Sequence, residues 1–244
     1  MIMKKQNEMT FFEHLGELRK RILISVLFIS IFFLASWSFV DKIYQWLAQP
    51  LLQFMPPGEK LAFTSLTEPF MMYIKLALIS GLFFAAPFIF YQLWLFISPA
   101  LYKKEKGLVF PFVFFTTVFF VLGGAFGYYF VFPWACRFFL EVGKDFKAII
   151  TIDQYFTLAF RVLLGIAVIF ELPVLAFLLA KLKILTARFL IKHFKYAIIL
   201  IFIIAAIITP TPDAVTQCLF AVPMILLYLL SILIVKVVGP KDTE

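Results

Sequence analysis

Charged side chains are scarce in this sequence: 15% of its 244 residues are Asp, Glu, Lys or Arg, whereas 64% are hydrophobic. Soluble domains have about 25% charged residues and at most about half apolar residues, so this balance argues against a soluble fold. The apolar residues also stand in long runs, and no charge interrupts the run 22–40. Runs of this length are typical of membrane-crossing helices. The composition therefore predicts an integral membrane protein.

Histidine and cysteine are nearly absent, with two residues of each. His14 and His193 lie beside apolar runs rather than within them, which argues against a haem held between two histidines. Cys136 and Cys218 are far apart and show no metal or redox spacing, so we expect packing residues without a disulfide. These residues therefore argue against a metal site and a haem, and we also expect no other cofactor, no catalytic residue and no enzymatic activity.

The net charge of the chain is +8, and its basic residues are not spread evenly along the sequence. In a soluble protein such an excess would suit a nucleic-acid partner. Here the basic residues form short clusters between apolar runs, which is how membrane proteins fix their orientation in the bilayer. We therefore expect a lipid bilayer around the chain and no nucleic-acid partner.

Six apolar runs predict an all-α membrane protein of six transmembrane helices, forming one domain over residues 1–244. A crossing of a ~30 Å hydrocarbon core needs about 20 residues at ~1.5 Å per residue, so a fifth helix of about 15 residues is short. We expect the sixth to be short as well, because Pro223 interrupts it. The approximate bounds are 22–40, 69–97, 108–134, 155–180, 194–208 and 215–235.

The loops on the two sides of the membrane differ in their number of basic residues. An even number of crossings places both termini on one side. The lysines and arginines assigned to that side outnumber those on the other about two to one, and basic loops stay in the cytoplasm. Both termini are therefore predicted to be cytoplasmic.

Local signals mark several helix boundaries. Thr10 and Glu13 fit a capping box, which starts a helix that runs into the first span. Asp153 is a candidate N-cap of the fourth span. Pro210 and Pro212 predict a tight turn before the sixth span.

Glu171 is an acid inside the fourth apolar run, about ten positions, or roughly 15 Å, from its end. A carboxyl group at that depth must be protonated, paired or exposed to water in a cavity. Two interpretations stay open. It lines a functional polar cavity, or it is a neutral acid that bonds to a neighbouring helix or to a carbonyl freed by Pro173.

Two further acids lie beside basic residues near the predicted cytoplasmic face. Glu17 precedes Lys20 and Arg21 by three and four positions, so an ordinary helix ion pair explains it. Glu105 lies among the three lysines of LYKKEKG, where a solvated acid is expected. From spacing alone, neither residue needs a function.

Five stretches together resemble the TatC family, the multispanning receptor of the twin-arginine (Sec-independent) protein translocase. The resemblance extends from about residue 11 to residue 235. Each stretch alone is weak, but their order, their spacing and the agreement with six spans make the match specific. The stretches are HLGELRKR, YQLWLFISPALYKKEK, GYYFVFP, FELPV and TPTPDAVTQ.

The resemblance implies a function that composition could not supply. Such a protein binds signal peptides with paired arginines at the cytoplasmic face of a prokaryotic inner membrane. It supports the export of folded proteins, driven by the proton gradient. Single-span TatA-type and TatB-type subunits are the implied partners, and we also expect self-association.

The resemblance also implies roles for individual residues. Glu17 and Glu105 would bind the peptide arginines, while Phe96 and Leu18 would form apolar walls. Glu171 matches a polar position inside a concave face. Two more matches, at Pro50 and Asp213, are associated with function, although proline and N-cap geometry explain them equally well.

Two rival functions remain at this point. A proton-coupled transporter of small molecules would centre on Glu171, and a structural scaffold would need no bound substrate. A peptide receptor differs from both because it requires Glu17 and Glu105 at the cytoplasmic entrance.

Overall fold

A computed structural model of the chain describes residues 11–56, 58–97, 109–209 and 213–239, and these are mostly helical. A π-helical turn at Gly127–Val131 joins α4 to α5 without interrupting the helix. The α-helices are α1 (Phe11–Trp37), α2 (Val40–Leu52), α3 (Glu68–Ile97), α4 (Val109–Phe126), α5 (Phe132–Val142), α6 (Ile152–Ile169), α7 (Leu172–Lys181), α8 (Ala187–Lys192), α9 (Phe194–Ile208) and α10 (Ala214–Val238).

The all-α membrane fold predicted from the sequence is confirmed. In the ranges that the structure describes, four helical segments are long and apolar enough to cross a membrane, or five if α1 and α2 count as one bent span. α9 is a shorter apolar helix with the predicted bounds. The prediction of a short sixth helix was wrong: α10 has 25 residues and continues through Pro223. A proline removes one hydrogen bond, which a membrane helix packed against its neighbours tolerates.

The first two long helices, α1 and α3, pack closely along each other. Gly81 makes this approach feasible, because a Cβ atom there would lie 2.8 Å from the backbone nitrogen of Phe33. The His14 ring stacks on Phe96, and Trp37 meets Phe70 edge to face. α1 and α3 are therefore antiparallel.

The other helices share these two ends. Leu182, just after α7, packs like Ile97 and Val109 against the buried cluster that contains Trp94. Val235 of α10 packs near Ala180 of α7. The start of α1, the end of α3, the start of α4, and the ends of α7 and α10 thus lie at one end of the bundle. We call it the proximal end, and the opposite end the distal end.

Two helices predicted to be simple spans have more complex shapes. α1 and α2 meet at a bend of 84°, so α2 turns across the bundle at the distal end. The fourth span is divided between α6 and α7 at Phe170 and Glu171. Pro173 has no N–H to donate to the carbonyl of Ile169, so the helix loses one hydrogen bond at this break.

The start of α6 corrects one prediction. Thr151, not Asp153, is the N-cap, and its hydroxyl accepts from the Gln154 nitrogen at 3.4 Å. Asp153 lies in the first turn and pairs with Lys75 of α3, Oδ1 to Nζ, at 2.6 Å. Asp153, which local spacing assigned to the cap, therefore pairs instead with a residue that is distant in the sequence.

Candidate functional site

Glu17 lies near the start of α1 at the proximal end, and its side chain is only 16% exposed. Its Oε1 accepts a hydrogen bond from Nη2 of Arg21, one helical turn further on, at 3.1 Å. This is the helix ion pair that the spacing allowed. Glu17 is nevertheless more buried than an ordinary solvated ion pair, so its charge is screened less by water.

Gln92, which sequence reasoning missed, completes this cluster. It is buried on α3, and its Oε1 accepts from Nη1 of Arg21 at 3.1 Å. Arg21 therefore bridges α1 and α3. The available signal was the single amide in the otherwise apolar stretch YQLWLF, since a buried amide needs a polar partner.

Two polar atoms of this cluster lack partners. Oε2 of Glu17 and Nε of Arg21 are both buried, yet neither has a hydrogen-bond partner within the described ranges. A guanidinium and a carboxylate often form two parallel bonds, and here only one is made. The carboxylate therefore retains capacity for a second donor.

An aromatic and an apolar side chain lie at the same end of the α1–α3 pair as Glu17. The Phe96 ring, half-buried at the end of α3, stacks on His14 with centroids 4.4 Å apart and planes 22° apart. Leu18, also half-buried, follows Glu17 on α1. The structure thus brings three predicted site residues, Glu17, Leu18 and Phe96, to one end of one helix pair.

Glu105 lies outside the described residues, in the segment 98–108. The residues on either side of that segment, Ile97 and Val109, pack in one apolar cluster at the proximal end. The two residues that border the segment 98–108 therefore lie at the end where Glu17 lies.

Glu171 lies deeper in the bundle, at the break between α6 and α7. The residue is half-buried, and its Oε1 is buried without a hydrogen-bond partner among the residues that the structure describes. It precedes Lys181 by ten positions, or roughly 15 Å of helix, so it belongs to a different site from Glu17. Glu171 is a polar group enclosed by apolar helices.

Asp213 has a clear structural role at the distal end. It is the N-cap of α10, and its Oδ1 accepts from the Thr216 nitrogen at 2.8 Å. The Thr216 hydroxyl donates to its other carboxylate oxygen. Capping accounts for an acid at this position.

Pro50 is buried within α2 and also has a structural role. It lacks the N–H that would otherwise bond the carbonyl of Trp46. That carbonyl instead accepts from the Tyr128 hydroxyl at 2.6 Å, and the Leu47 carbonyl accepts from Tyr155 at 2.8 Å. Pro50 thereby leaves the Trp46 carbonyl as an acceptor through which α2 docks on the span that contains Tyr128.

Tyr128→Phe is expected to destabilise the protein by about 1–2 kcal/mol, because it leaves the part-buried Trp46 carbonyl without a donor. Thermal unfolding in detergent micelles measures this loss. The matched control is Tyr129→Phe, which removes an exposed hydroxyl one residue away. In a Pro50→Ala background, the new N–H takes over the carbonyl and most of the loss should disappear. An equal loss in both backgrounds would contradict the role given to Pro50.

Comparisons with known proteins agree with the resemblance. A family model described as Sec-independent protein translocase protein (TatC) matches residues 13–223. TatC of Koribacter versatilis is 44% identical over 237 residues, covering 96% of this chain and 88% of the relative. TatC of Helicobacter pylori strain 26695 is 44% identical over 238 residues, covering 95% and 90%.

A solved structure supports the same relationship. The crystal structure of the twin-arginine translocase receptor TatC superimposes with a TM-score of 0.82 at 35% sequence identity. The match covers 92% of this chain and 99% of that one. Both sequence and fold therefore lead to one conclusion: this chain belongs to the TatC family of Sec-independent protein translocase proteins.

Proposed function

We propose that this chain is the receptor subunit of its translocase and binds twin-arginine signal peptides at the cytoplasmic face. As a TatC protein it is a multi-pass protein of a prokaryotic inner membrane and part of the translocase. The observation that carries the proposal is the Glu17 carboxylate at the proximal end, which is 16% exposed and keeps one buried oxygen without a hydrogen-bond partner in the described ranges.

The chemistry of the peptide suits this carboxylate. Each arginine offers a planar fork of donors that fits a carboxylate through two bonds, whereas lysine is a compact point charge. Glu17 has one oxygen bonded to Arg21 and one buried oxygen without a partner in the described ranges, so a guanidinium that reaches the carboxylate gains an unused acceptor. Glu105, in the segment 98–108 whose bordering residues pack at the same end, is the proposed partner of the second arginine.

The apolar part of the signal peptide needs a surface beyond the carboxylates. A cavity of about 350 Å³ lies between α4, α7 and α10, and its lining is almost entirely apolar. Phe115 and Phe119 lie on one wall and Phe177 on another, with Pro173 close to Glu171 in the chain. We propose that the apolar segment runs from the proximal end along this cavity.

The proposed orientation places the proximal end in the cytoplasm. Arg19 and Lys20 are exposed at this end, and basic clusters favour the cytoplasmic side. A peptide arriving from the cytoplasm would then meet Glu17 before the apolar cavity. TatA-type and TatB-type single-span subunits and further copies of the chain are the proposed partners, with export driven by the proton gradient.

A signal peptide whose paired arginines are replaced by lysines is expected to bind at least about tenfold more weakly, because lysine cannot form the two-bond contact. Fluorescence anisotropy of a labelled synthetic peptide with the full chain in lipid nanodiscs measures the difference.

The Glu105→Ala variant, still inserted and folded, should lose cross-linking to the arginine peptide.

Glu59→Ala is the matched control, because it removes an exposed acid from a loop at the distal end. It should leave peptide binding unchanged. Equal affinity for the arginine and lysine peptides would contradict recognition through the guanidinium fork. It would favour the rival functions, since neither a transporter centred on Glu171 nor a scaffold has to bind the peptide.

A further inference from the structure

An internal guanidinium already occupies the carboxylate proposed to receive the peptide. Nη2 of Arg21 bonds Oε1 of Glu17 at 3.1 Å, and the Arg21 side chain is only 22% exposed. Arg21 therefore presents to Glu17 the same chemical group that a signal-peptide arginine would bring. Two guanidinium groups cannot both make a full two-bond contact with one carboxylate.

The internal contact is incomplete in a way that favours exchange. Nε of Arg21 and Oε2 of Glu17 are both buried and lack hydrogen-bond partners in the described part of the chain. Arg21 and Glu17 form one hydrogen bond, whereas a guanidinium and a carboxylate can form two parallel ones. An incoming arginine that reaches the carboxylate therefore has to replace one bond of Arg21, that of Nη2, instead of two.

Gln92 provides a place for Arg21 during this exchange. Its Oε1 already accepts from Nη1 of Arg21 at 3.1 Å, and it is fixed on α3 with 7% of its surface exposed. A displaced Arg21 keeps this bond instead of becoming a half-buried charge with no partner, which would be costly. The amide is neutral, so it holds Arg21 without competing for it as strongly as a carboxylate.

We propose that Arg21, supported by Gln92, is an internal competitor that sets the affinity threshold of the signal-peptide site. This inference rests on the proposed function. Releasing Arg21 from Glu17 costs the same free energy for any peptide, so competition lowers all affinities by one factor. A paired-arginine peptide stays bound, whereas a weaker lysine peptide falls below useful occupancy.

Arg21→Gln is expected to tighten binding of the twin-arginine peptide by about tenfold, because Glu17 is then free before the peptide arrives. The lysine peptide should gain by a similar factor. The measurement is peptide anisotropy with the full chain in lipid nanodiscs. Arg19→Gln is the matched control: it removes the same charge from an exposed position two residues away and should change affinity less than about twofold.

A second variant guards against misfolding of the first. Arg21→Lys keeps the charge but cannot bridge Glu17 and Gln92 at once, so it should tighten binding by about threefold. If Arg21→Gln binds no tighter than Arg19→Gln while Glu17 remains necessary, the competition is wrong and the receptor function stands. If binding does not depend on Glu17, the proposed peptide site itself is wrong.

Discussion

A twin-arginine signal peptide is expected to bind the Glu17→Gln variant about 30- to 150-fold more weakly than the unaltered chain. The substitution keeps the shape of the side chain and an acceptor for Nη2 of Arg21, so Arg21 can also keep its bond from α1 to Gln92 on α3. It removes the negative charge that the peptide guanidinium needs. A hydrogen bond to a charged partner contributes about 2–3 kcal/mol, which corresponds to this range.

The measurement is peptide anisotropy in lipid nanodiscs, with thermal unfolding as a check on folding. Glu141→Gln is the matched control, because Glu141 forms an exposed ion pair with Lys144 at 3.4 Å and the change in net charge is identical. Peptide affinity should be unaltered there, since exposed pairs contribute about 0–1 kcal/mol locally. A Glu17→Gln affinity within twofold of the unaltered chain would rule Glu17 out as the arginine ligand.

Combining substitutions at Glu17 and Arg21 tests whether the two residues act through one contact. If Arg21 acts only by occupying Glu17, then Arg21→Gln tightens binding in the natural background and does nothing once Glu17 is already Gln. Residues that act through one contact are not additive, and a double-mutant cycle measures the difference. Tightening that persists without Glu17 would mean that Arg21 repels the peptide through its charge alone.

The sequence predicted the long apolar helices well because the requirement is one-dimensional. The hydrocarbon core demands an uninterrupted apolar run, and polar residues outside it mark the ends. The run 69–97 therefore matches α3, Glu68–Ile97, and the run 194–208 matches α9. No knowledge of neighbouring helices is needed for either result.

Helix interruptions were harder to predict because they depend on packing. Pro173 and Pro223 both remove one hydrogen bond, yet the first coincides with a break between helices and the second lies inside α10. The chemistry of proline is the same in both cases, so the surroundings decide the outcome. Asp153 gives the same lesson, since Lys75 lies 78 positions away in the sequence.

The candidate site was predicted in part. Local spacing identified Glu17 with Arg21 four residues on, and the resemblance added Phe96 and Leu18. The link from Arg21 to Gln92 spans 71 positions and requires the register of α1 against α3. That register includes the close approach of Gly81 to the backbone of Phe33. Neither composition nor periodicity predicts which residues of the two helices meet.

Glu171→Gln is expected to slow export of a folded cargo by about tenfold, equivalent to about 1.4 kcal/mol in the barrier, while peptide affinity stays within twofold. The amide preserves size and hydrogen bonding but cannot carry or exchange a charge. Oε1 of Glu171 is buried without a partner in the described ranges, at a break between two helices. A polar group so placed in a membrane span is retained at a cost, which argues for a role during transport.

Export into inverted membrane vesicles and peptide binding in nanodiscs separate the two effects. Ser231→Ala is the control: it removes another buried polar group of the spans, but one already satisfied by the Leu227 carbonyl of its own helix at 2.8 Å, so export should be unaffected. Unchanged export in Glu171→Gln would return Glu171 to a purely structural role. A loss of peptide binding instead would place it within the recognition site. Because Glu17 and Glu171 lie at different depths of the bundle, their substitutions should impair different steps: capture of the peptide at the proximal end, and passage of the cargo afterwards.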